Sequence, residues 1–315
     1  MPLINKMYSI LHKLECIENK LDQPLYRKIL SKVKKPVLAM TFGPTGAGKS
    51  KMGRQVMDKY NETEFVQILI DDLVENDYKY KESVKKIIQK YKLNHNETAQ
   101  SLLSDPPIEL FDAFSQAYAN VRFKTGCRTN KRDEEEWNCN QENDEILGRA
   151  LENKQNIVFE MTGTYSPTWL YDMSRPHNYL IVASYSLVTF CSLIQRNKSR
   201  AINDLKYFLE DTQKHSAPRL PNVLDGEEKQ KQIYRKLMED IKKVLDELLQ
   251  NCLECNTNTM DCKCPVDEIL LFDNNGAELK EAFHYSKYAN DGVKKEQVMD
   301  ILAVLMRIPK GRCTF

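Results

Sequence analysis

A short segment near the start of the chain has the residue types and the spacing of a phosphate-binding loop. Because glycine has no side chain to clash, successive backbone N–H groups of such a loop can point at one phosphate. The lysine reaches the β- and γ-phosphate oxygens, and the hydroxyl that follows it can bind Mg²⁺. The eight residues are Gly43, Pro44, Thr45, Gly46, Ala47, Gly48, Lys49 and Ser50. They predict a site for ATP or GTP with Mg²⁺, in which Lys49 is a candidate catalytic residue.

The segments on either side have the patterns that this loop needs. Residues 36–42 are almost entirely apolar, which predicts a buried strand. After the loop, Met52, Val56 and Met57 fall on one face of a helix predicted over 51–60. The positive N-terminal end of that helix would face the same phosphates as the loop.

Two neighbouring carboxylates follow the second predicted strand, 65–70. Asp71 and Asp72 stand where that strand ends, and ligands of parallel α/β sheets bind at the carboxyl ends of strands. Either carboxylate could accept the proton of a substrate hydroxyl during phosphoryl transfer. The alternative is that the pair caps a helix starting at Leu73, which aspartate does well. The sequence favours the catalytic role and leaves open which aspartate is the base.

An acidic residue also ends the next predicted strand, 156–159. Glu160 could hold Mg²⁺ through water or bind substrate hydroxyls. Thr162 and Thr164 offer hydroxyl groups beside it, and we predict that the three residues bind the substrate. The alternative for the threonines is that they cap the helix predicted over 167–173.

Arginines are concentrated after the fourth predicted strand. Arg196 and Arg200 lie four residues apart, and therefore on one face of the predicted helix, while Arg219 lies in a basic segment beyond it. Guanidinium groups neutralise charge on the γ-phosphate as it moves, so Arg196 and Arg219 are candidate catalytic residues. The alternative is that these are surface arginines paired with Glu210 or Asp211. For Arg200 the two interpretations are balanced.

Four cysteines cluster late in the chain: Cys252, Cys255, Cys262 and Cys264. Four thiolates could hold a structural Zn²⁺, although the second pair has one intervening residue where structural zinc sites usually have two. The chain has nine cysteines and no apparent export signal. An odd number in a long chain of this kind favours reduced thiols and a cytoplasmic protein.

The rest of the sequence predicts one α/β architecture. Strands alternate with helices, which indicates a parallel sheet of about five strands flanked by helices on both faces. We expect a helical extension at 1–35 and a main domain at 36–310. Within that domain, 73–143 is a helical and polar insertion and 196–223 is a lid-like segment. The net charge of +1, from 46 basic and 45 acidic residues, gives no overall attraction to nucleic acid or membrane.

With these residues assembled, the chain resembles the zeta-toxin-like branch of the P-loop kinases over about residues 36–280. The resemblance rests on the phosphate loop, on Asp71 and Asp72 after the second strand, on the strand end at Glu160 followed by Gly163 and Thr164, on Arg196 and Arg219, and on the turn at 272–274. It implies that Lys49 and Ser50 bind ATP phosphates and Mg²⁺, that one aspartate is the general base and that the arginines stabilise the transferred phosphoryl group. It also implies a nucleotide-sugar acceptor, UDP-N-acetylglucosamine. The two residues between Glu160 and Gly163 and the length of the insertion depart from the family pattern.

The sequence-based prediction is therefore a kinase that transfers the γ-phosphate of ATP to a hydroxyl of a small molecule. A polynucleotide or nucleotide kinase is an alternative, and a basic cluster could bind a strand end: Arg122, Lys124, Arg128, Lys131 and Arg132. An alternative of another class is a nucleotide-binding switch or structural protein without an acceptor. No membrane partner is expected.

Overall fold

The computed structural model describes residues 35–127, 137–220, 226–254, 264–287, 298, 300–303 and 313. The described residues from Val37 onward belong to one compact unit. Its strands are β1 (Val37–Phe42), β2 (Val66–Ile68), β3 (Ile157–Met161), β4 (Leu180–Leu187), β5 (Glu268–Asp273) and β6 (Lys280–Ser286). Its helices are α1 (Lys49–Lys59), α2 (Ile70–Asn76), α3 (Tyr78–Tyr91), α4 (Asn96–Ser104), α5 (Ile108–Phe123), α6 (Cys139–Glu152), α7 (Thr168–Ser174), α8 (Phe190–Glu210) and α9 (Gly226–Glu254), with a 3₁₀ turn at Arg175–His177.

The six strands form one mixed sheet in the order β2-β3-β1-β4-β5-β6. The first five strands pair in parallel, and β6 pairs antiparallel with β5. Every residue of β1 is buried, which is typical of a central strand covered on both faces. Leu38, Met40 and Phe42 pack into one core cluster, whereas Val37 and Ala39 pack into another. The predicted α/β fold with helices on both faces is therefore confirmed, with a sixth strand that the sequence analysis missed.

A third core cluster lies among the helices that follow β2. It joins apolar residues of α2, α3, α4 and α5 with Leu205 and Phe208 from the far end of α8. Pro107 precedes the first residue of α5, a place where proline is tolerated because the first turn of a helix has no backbone partner for its N–H groups. The predicted insertion thus forms helices that share a core with the end of α8.

One predicted boundary is wrong. Strand β2 ends at Ile68 and α2 begins at Ile70, so Asp71 and Asp72 lie in the first turn of a helix and not at a strand end. Helix α8 continues to Glu210, so the first half of the segment 196–223 is helical. Strand β6 follows β5, so the sheet has one strand more than the five predicted. The predicted extension at 1–35 falls almost wholly outside the described residues, and residues 298 and 300–303 are helical.

Six cysteines form three disulfides: Cys127–Cys139, Cys191–Cys313 and Cys252–Cys264. The prediction of reduced thiols is wrong for these six. The predicted zinc site is also wrong as a four-thiolate cage, because Cys252 and Cys264 are bonded to each other and cannot act as thiolate ligands. Cys255 and Cys262 lie outside the described residues. Across the described residues, no group of three or more metal-ligating side chains comes together.

Within the described ranges, no helix is both long enough and apolar enough to span a bilayer.

Candidate active site

The phosphate loop joins β1 to α1 at the carboxyl edge of the sheet. Gly46 and Gly48 have φ of +84° and +78°, a left-handed conformation that residues with a Cβ rarely adopt. Three polar side chains hold the loop from outside. Asn197 Nδ2 donates to the Thr45 carbonyl at 3.2 Å. Ser186 Oγ and Asn274 Nδ2 donate to the Ala47 carbonyl at 2.5 and 2.6 Å.

Lys49 is folded back onto its own loop. Its ammonium group donates to the carbonyl oxygens of Gly43 and Pro44, at 3.0 and 3.2 Å. Burial lowers the pKa of Lys49, while the negative charges of Glu160 and Asp71 oppose that shift. A phosphate in the loop would offer a stronger partner than these neutral carbonyls, because hydrogen bonds to ionised acceptors are about twice as strong as neutral ones.

The two aspartates occupy different environments. Asp71 is half-buried, and its Oδ1 accepts hydrogen bonds from the Tyr118 hydroxyl and from Arg219 Nη1, the latter at 2.5 Å. Burial raises the pKa of Asp71, but the charge of Arg219 and the bonds from Tyr118 and Arg219 outweigh it and hold the pKa below its ordinary value. Asp72 is exposed, and burial of part of its carboxyl raises its pKa. The structure therefore brings Asp71 into the cleft and leaves Asp72 outside it.

Three arginines line a cavity of about 250 Å³ next to the phosphate loop. Arg196 Nη2 donates to the Asn274 carbonyl at 2.6 Å. Arg200 Nη2 contacts both oxygens of Glu75, at 3.1 and 3.3 Å. Arg219 bridges Asp71 and Glu75. The cavity also contains Gly46, Gly48, Lys49 and Ser50, so its lining is that of an anion site the size of a phosphate chain.

Glu160 lies within β3 and points toward the loop. Its Oε1 accepts from Gln67 Nε2 at 2.9 Å, and it is hydrogen-bonded to the Ser50 hydroxyl. Burial raises its pKa, opposed by the bond from Ser50 and the charge of Lys49. A hydroxyl and a carboxylate side by side are the oxygen ligands that Mg²⁺ prefers, so this pair fits the metal that the loop implies.

A larger cavity of about 570 Å³ adjoins the phosphate cavity. The two share six lining residues: Thr45, Lys49, Leu69, Asp71, Glu160 and Arg219. The larger cavity extends between α5, α6 and α7, where its walls carry Tyr118, Arg122, Asn140, Asn143 and Trp169. Thr162 lines it and lies 3.3 Å from Thr164, oxygen to oxygen, whereas Thr164 is not among the lining residues.

Sequence analysis missed several residues of this site. Tyr118, Asn140, Asn143 and Trp169 are spread over three helices, and no local motif marks them. Arg122 was predicted only as part of the basic cluster that could bind a strand end. Residues 114, 118 and 122 do follow the spacing of one helical face, and all three line the cavity. Asn143 is buried with its Oδ1 unpaired among the described residues, which is a signal that only coordinates reveal.

No family model matches the chain, and no curated protein matches it. A solved structure from "Molecular and structural characterization of the PezAT chromosomal toxin-antitoxin system of the human pathogen Streptococcus pneumoniae" is 11% identical. The match covers 97% of this chain and 88% of that chain, with a TM-score of 0.47. A second, "Structure of YGR205w protein", is 12% identical over 86% of this chain and 96% of that chain, with a TM-score of 0.26.

At such identities and TM-scores, these likenesses say nothing about activity. The sheet itself, with five parallel strands, an antiparallel sixth strand and helices on both faces, has the α/β architecture that the sequence predicted.

Proposed function

We propose that the protein is a kinase that transfers the γ-phosphate of ATP to a hydroxyl of a small molecule held in the larger cavity. One observation carries the proposal: Asp71 and Lys49 line both the phosphate cavity and the larger cavity. A carboxylate at that border can contact an acceptor hydroxyl while the lysine contacts the phosphate that the hydroxyl attacks.

The residues take the following roles in this proposal. Lys49 and the loop amides bind the β- and γ-phosphates. Asp71 accepts the proton of the acceptor hydroxyl or orients it for in-line attack. Arg196 and Arg219 neutralise charge that develops on the transferred phosphoryl group.

Mg²⁺ would be held by the Ser50 hydroxyl, with Glu160 close enough to bind one of the waters around the metal. When bound, the metal supplies positive charge to the phosphate oxygens. Glu160 and Thr162 also face the larger cavity, where they can bind hydroxyl groups of the acceptor.

The lining of the larger cavity suits an acceptor that is partly planar and rich in polar groups. Trp169 and Tyr118 contribute aromatic rings to the lining, and Asn140 and Asn143 contribute amides. A nucleotide sugar has both kinds of surface, and the family resemblance implies one. We include it as the first acceptor class to test, with nucleosides and oligonucleotide ends as comparisons.

The experiment compares two neighbouring substitutions. The protein is incubated with labelled ATP, Mg²⁺ and each acceptor class, and transfer by wild type, Asp71→Asn and Asp72→Asn is followed. We expect Asp71→Asn to lower the transfer rate by about 10²- to 10⁴-fold, the range for a general base. Asp72→Asn should stay within about threefold of wild type, because its side chain contacts neither cavity.

Two outcomes would contradict the proposal. If Asp71→Asn and Asp72→Asn lower the transfer rate equally, the position of Asp71 in the cleft does not decide which aspartate is the base. Slow ATP hydrolysis with no acceptor labelled, unaffected by Asp71→Asn, would favour a nucleotide-binding switch. Labelling of oligonucleotide ends alone would instead indicate a polynucleotide kinase.

A further inference from the structure

The buried carboxylate of Glu75 lies between two arginines of the phosphate cavity. Glu75 is 4% exposed. Both of its oxygens contact Arg200 Nη2, and its Oε1 lies 3.5 Å from Arg219 Nε. Glu75 itself lines neither the phosphate cavity nor the larger one. Any effect of Glu75 on a bound phosphate must therefore act through Arg200 and Arg219.

The backbone of the same residue anchors the segment that carries Arg219. The Ala217 N–H donates to the Glu75 carbonyl at 2.8 Å. Beside it, Ser216 Oγ donates to Asn76 Oδ1 at 2.9 Å, and the Tyr80 hydroxyl donates to the Pro218 carbonyl at 3.0 Å. Three hydrogen bonds thus fix residues 216–218 against α2 and α3, immediately before Arg219.

Asp71 and Glu75 both contact the guanidinium group of Arg219. They lie four residues apart on α2 and so share one helical face. Arg219 Nη1 donates to Asp71, and Arg219 Nε forms an ion pair with Glu75 at 3.5 Å. Since a guanidinium group is a rigid plane with five N–H donors, the whole group can pivot about its Nε contact with Glu75 so that its Nη donors reach a phosphate. That movement would also release Asp71 from its strongest cationic partner.

We infer that Glu75 is a positioning residue that holds Arg200 and Arg219 over the transferred phosphoryl group and keeps Arg219 in place when it leaves Asp71. The inference rests on the proposed function, since it concerns the same reaction. It adds a residue that contacts neither nucleotide nor acceptor. It also explains why a carboxylate is buried between cations whose partner in catalysis is a phosphate.

The test measures binding of ADP alone and of ADP with aluminium fluoride, which mimics the phosphoryl group in transfer, both with Mg²⁺ by calorimetry. No acceptor is needed. We expect Glu75→Gln to weaken the aluminium fluoride complex by about 10- to 100-fold, the cost of misplacing a group by about 1 Å. Binding of ADP alone should change by less than about threefold, because the loop and Lys49 are untouched.

Two controls separate positioning from general damage to the fold. Asp204→Asn removes the other carboxylate of Arg200, which lies 3.1 Å from its Nε, and should leave both affinities within about threefold of wild type. In an Arg219→Ala background, Glu75→Gln should cost less than it does in the wild type, because only the part of its effect that acts through Arg200 remains. Losses that simply add, or an unchanged aluminium fluoride complex in Glu75→Gln, would overturn the inference.

The outcomes also distinguish this inference from the proposed function. A wild type that phosphorylates an acceptor, with Glu75→Gln equal to it in both affinities, would leave the kinase standing and remove Glu75 from it. A selective loss of the aluminium fluoride complex, with no acceptor ever phosphorylated, would keep the role of Glu75 and reject the kinase.

Discussion

The packing of Gly46 against Asn197 predicts a measurable effect of adding one methyl group to the phosphate loop. A Cβ built on Gly46 would lie 2.1 Å from Asn197 Oδ1 and 2.9 Å from its Cγ. Real Cβ atoms do not approach other atoms so closely, so Gly46→Ala must move the Asn197 carboxamide. That group is buried and bonded to the Thr45 carbonyl.

The cost has two parts. An alanine at φ of +84° is strained by about 1–2 kcal/mol. Displacing the carboxamide breaks one hydrogen bond, whose net contribution is about 1 kcal/mol. The sum is about 2–3 kcal/mol. Because 1.4 kcal/mol is tenfold in an equilibrium constant, this corresponds to about 30- to 150-fold.

The cost of Gly46→Ala appears in two measurable quantities, the free energy of unfolding and the Kd for ATP. If the loop keeps its conformation without nucleotide, the free energy of unfolding falls by the full amount. If the loop relaxes, nucleotide binding must restore the strained conformation, and the Kd for ATP rises instead. The losses in unfolding free energy and in binding free energy, from urea titration and calorimetry, should therefore sum to about 2–3 kcal/mol.

Gly148→Ala is the matched control. Gly148 lies within α6, and a Cβ there meets nothing within 4 Å. The same change should raise the free energy of unfolding by up to about 1 kcal/mol, the helix preference of alanine over glycine, and leave the Kd for ATP unchanged. If Gly46→Ala behaves like Gly148→Ala in both measurements, the described loop conformation is wrong.

Two further predictions concern pH and redox state. Burial raises the pKa of Glu75 to about 7, although Arg200 and Arg219 lower it and Asp71 and Asp204 raise it further. Glu75 is fully ionised only above that pH. The ratio of the affinity for ADP with aluminium fluoride to the affinity for ADP alone should therefore increase from pH 6 to pH 8 in the wild type, but not in Glu75→Gln. An equal change of this ratio with pH in the two proteins would contradict the prediction. The raised pKa also means that the stability contributed by Glu75 is fully present below its unfolded value, near 4.5, and is lost as the pH rises through 7. Because six of the nine cysteines are in disulfides, alkylation of the unfolded, unreduced protein should modify at most three. Nine modified thiols would instead support the reduced, cytoplasmic protein that we first expected, since such bonds are rare in that compartment.

The sequence predicted those parts of the site that depend on neighbouring residues. The spacing from Gly43 to Ser50 encodes a loop that is local in the chain, and the apolar run before it encodes a central strand. Position along the chain also placed Asp71 and Glu160 at the carboxyl edge of the sheet, where ligands bind. These predictions needed no knowledge of packing.

Other features depended on contacts between distant segments. The choice between Asp71 and Asp72 follows from the phase of α2, which turns one side chain toward Tyr118 and the other to solvent. Strand β6 was missed because its first two residues, Lys280 and Glu281, are exposed at the sheet edge and weaken its pattern. Cys191 and Cys313 are 122 residues apart, a separation from which no spacing rule predicts a pair.

Two arginines of the cleft are paired with carboxylates before any phosphate arrives. Arg219 is paired with Asp71 and Glu75, and Arg200 with Glu75. A phosphate oxygen that binds either arginine must therefore compete with a carboxylate, which lowers the affinity for anions in general. In return, Glu75 holds both arginines beside the phosphate cavity, so only a local change of partner remains when charge moves between donor and acceptor. Such a cleft is built to favour a phosphate in transfer over a phosphate at rest, which is the preference that a kinase needs and a nucleotide store does not.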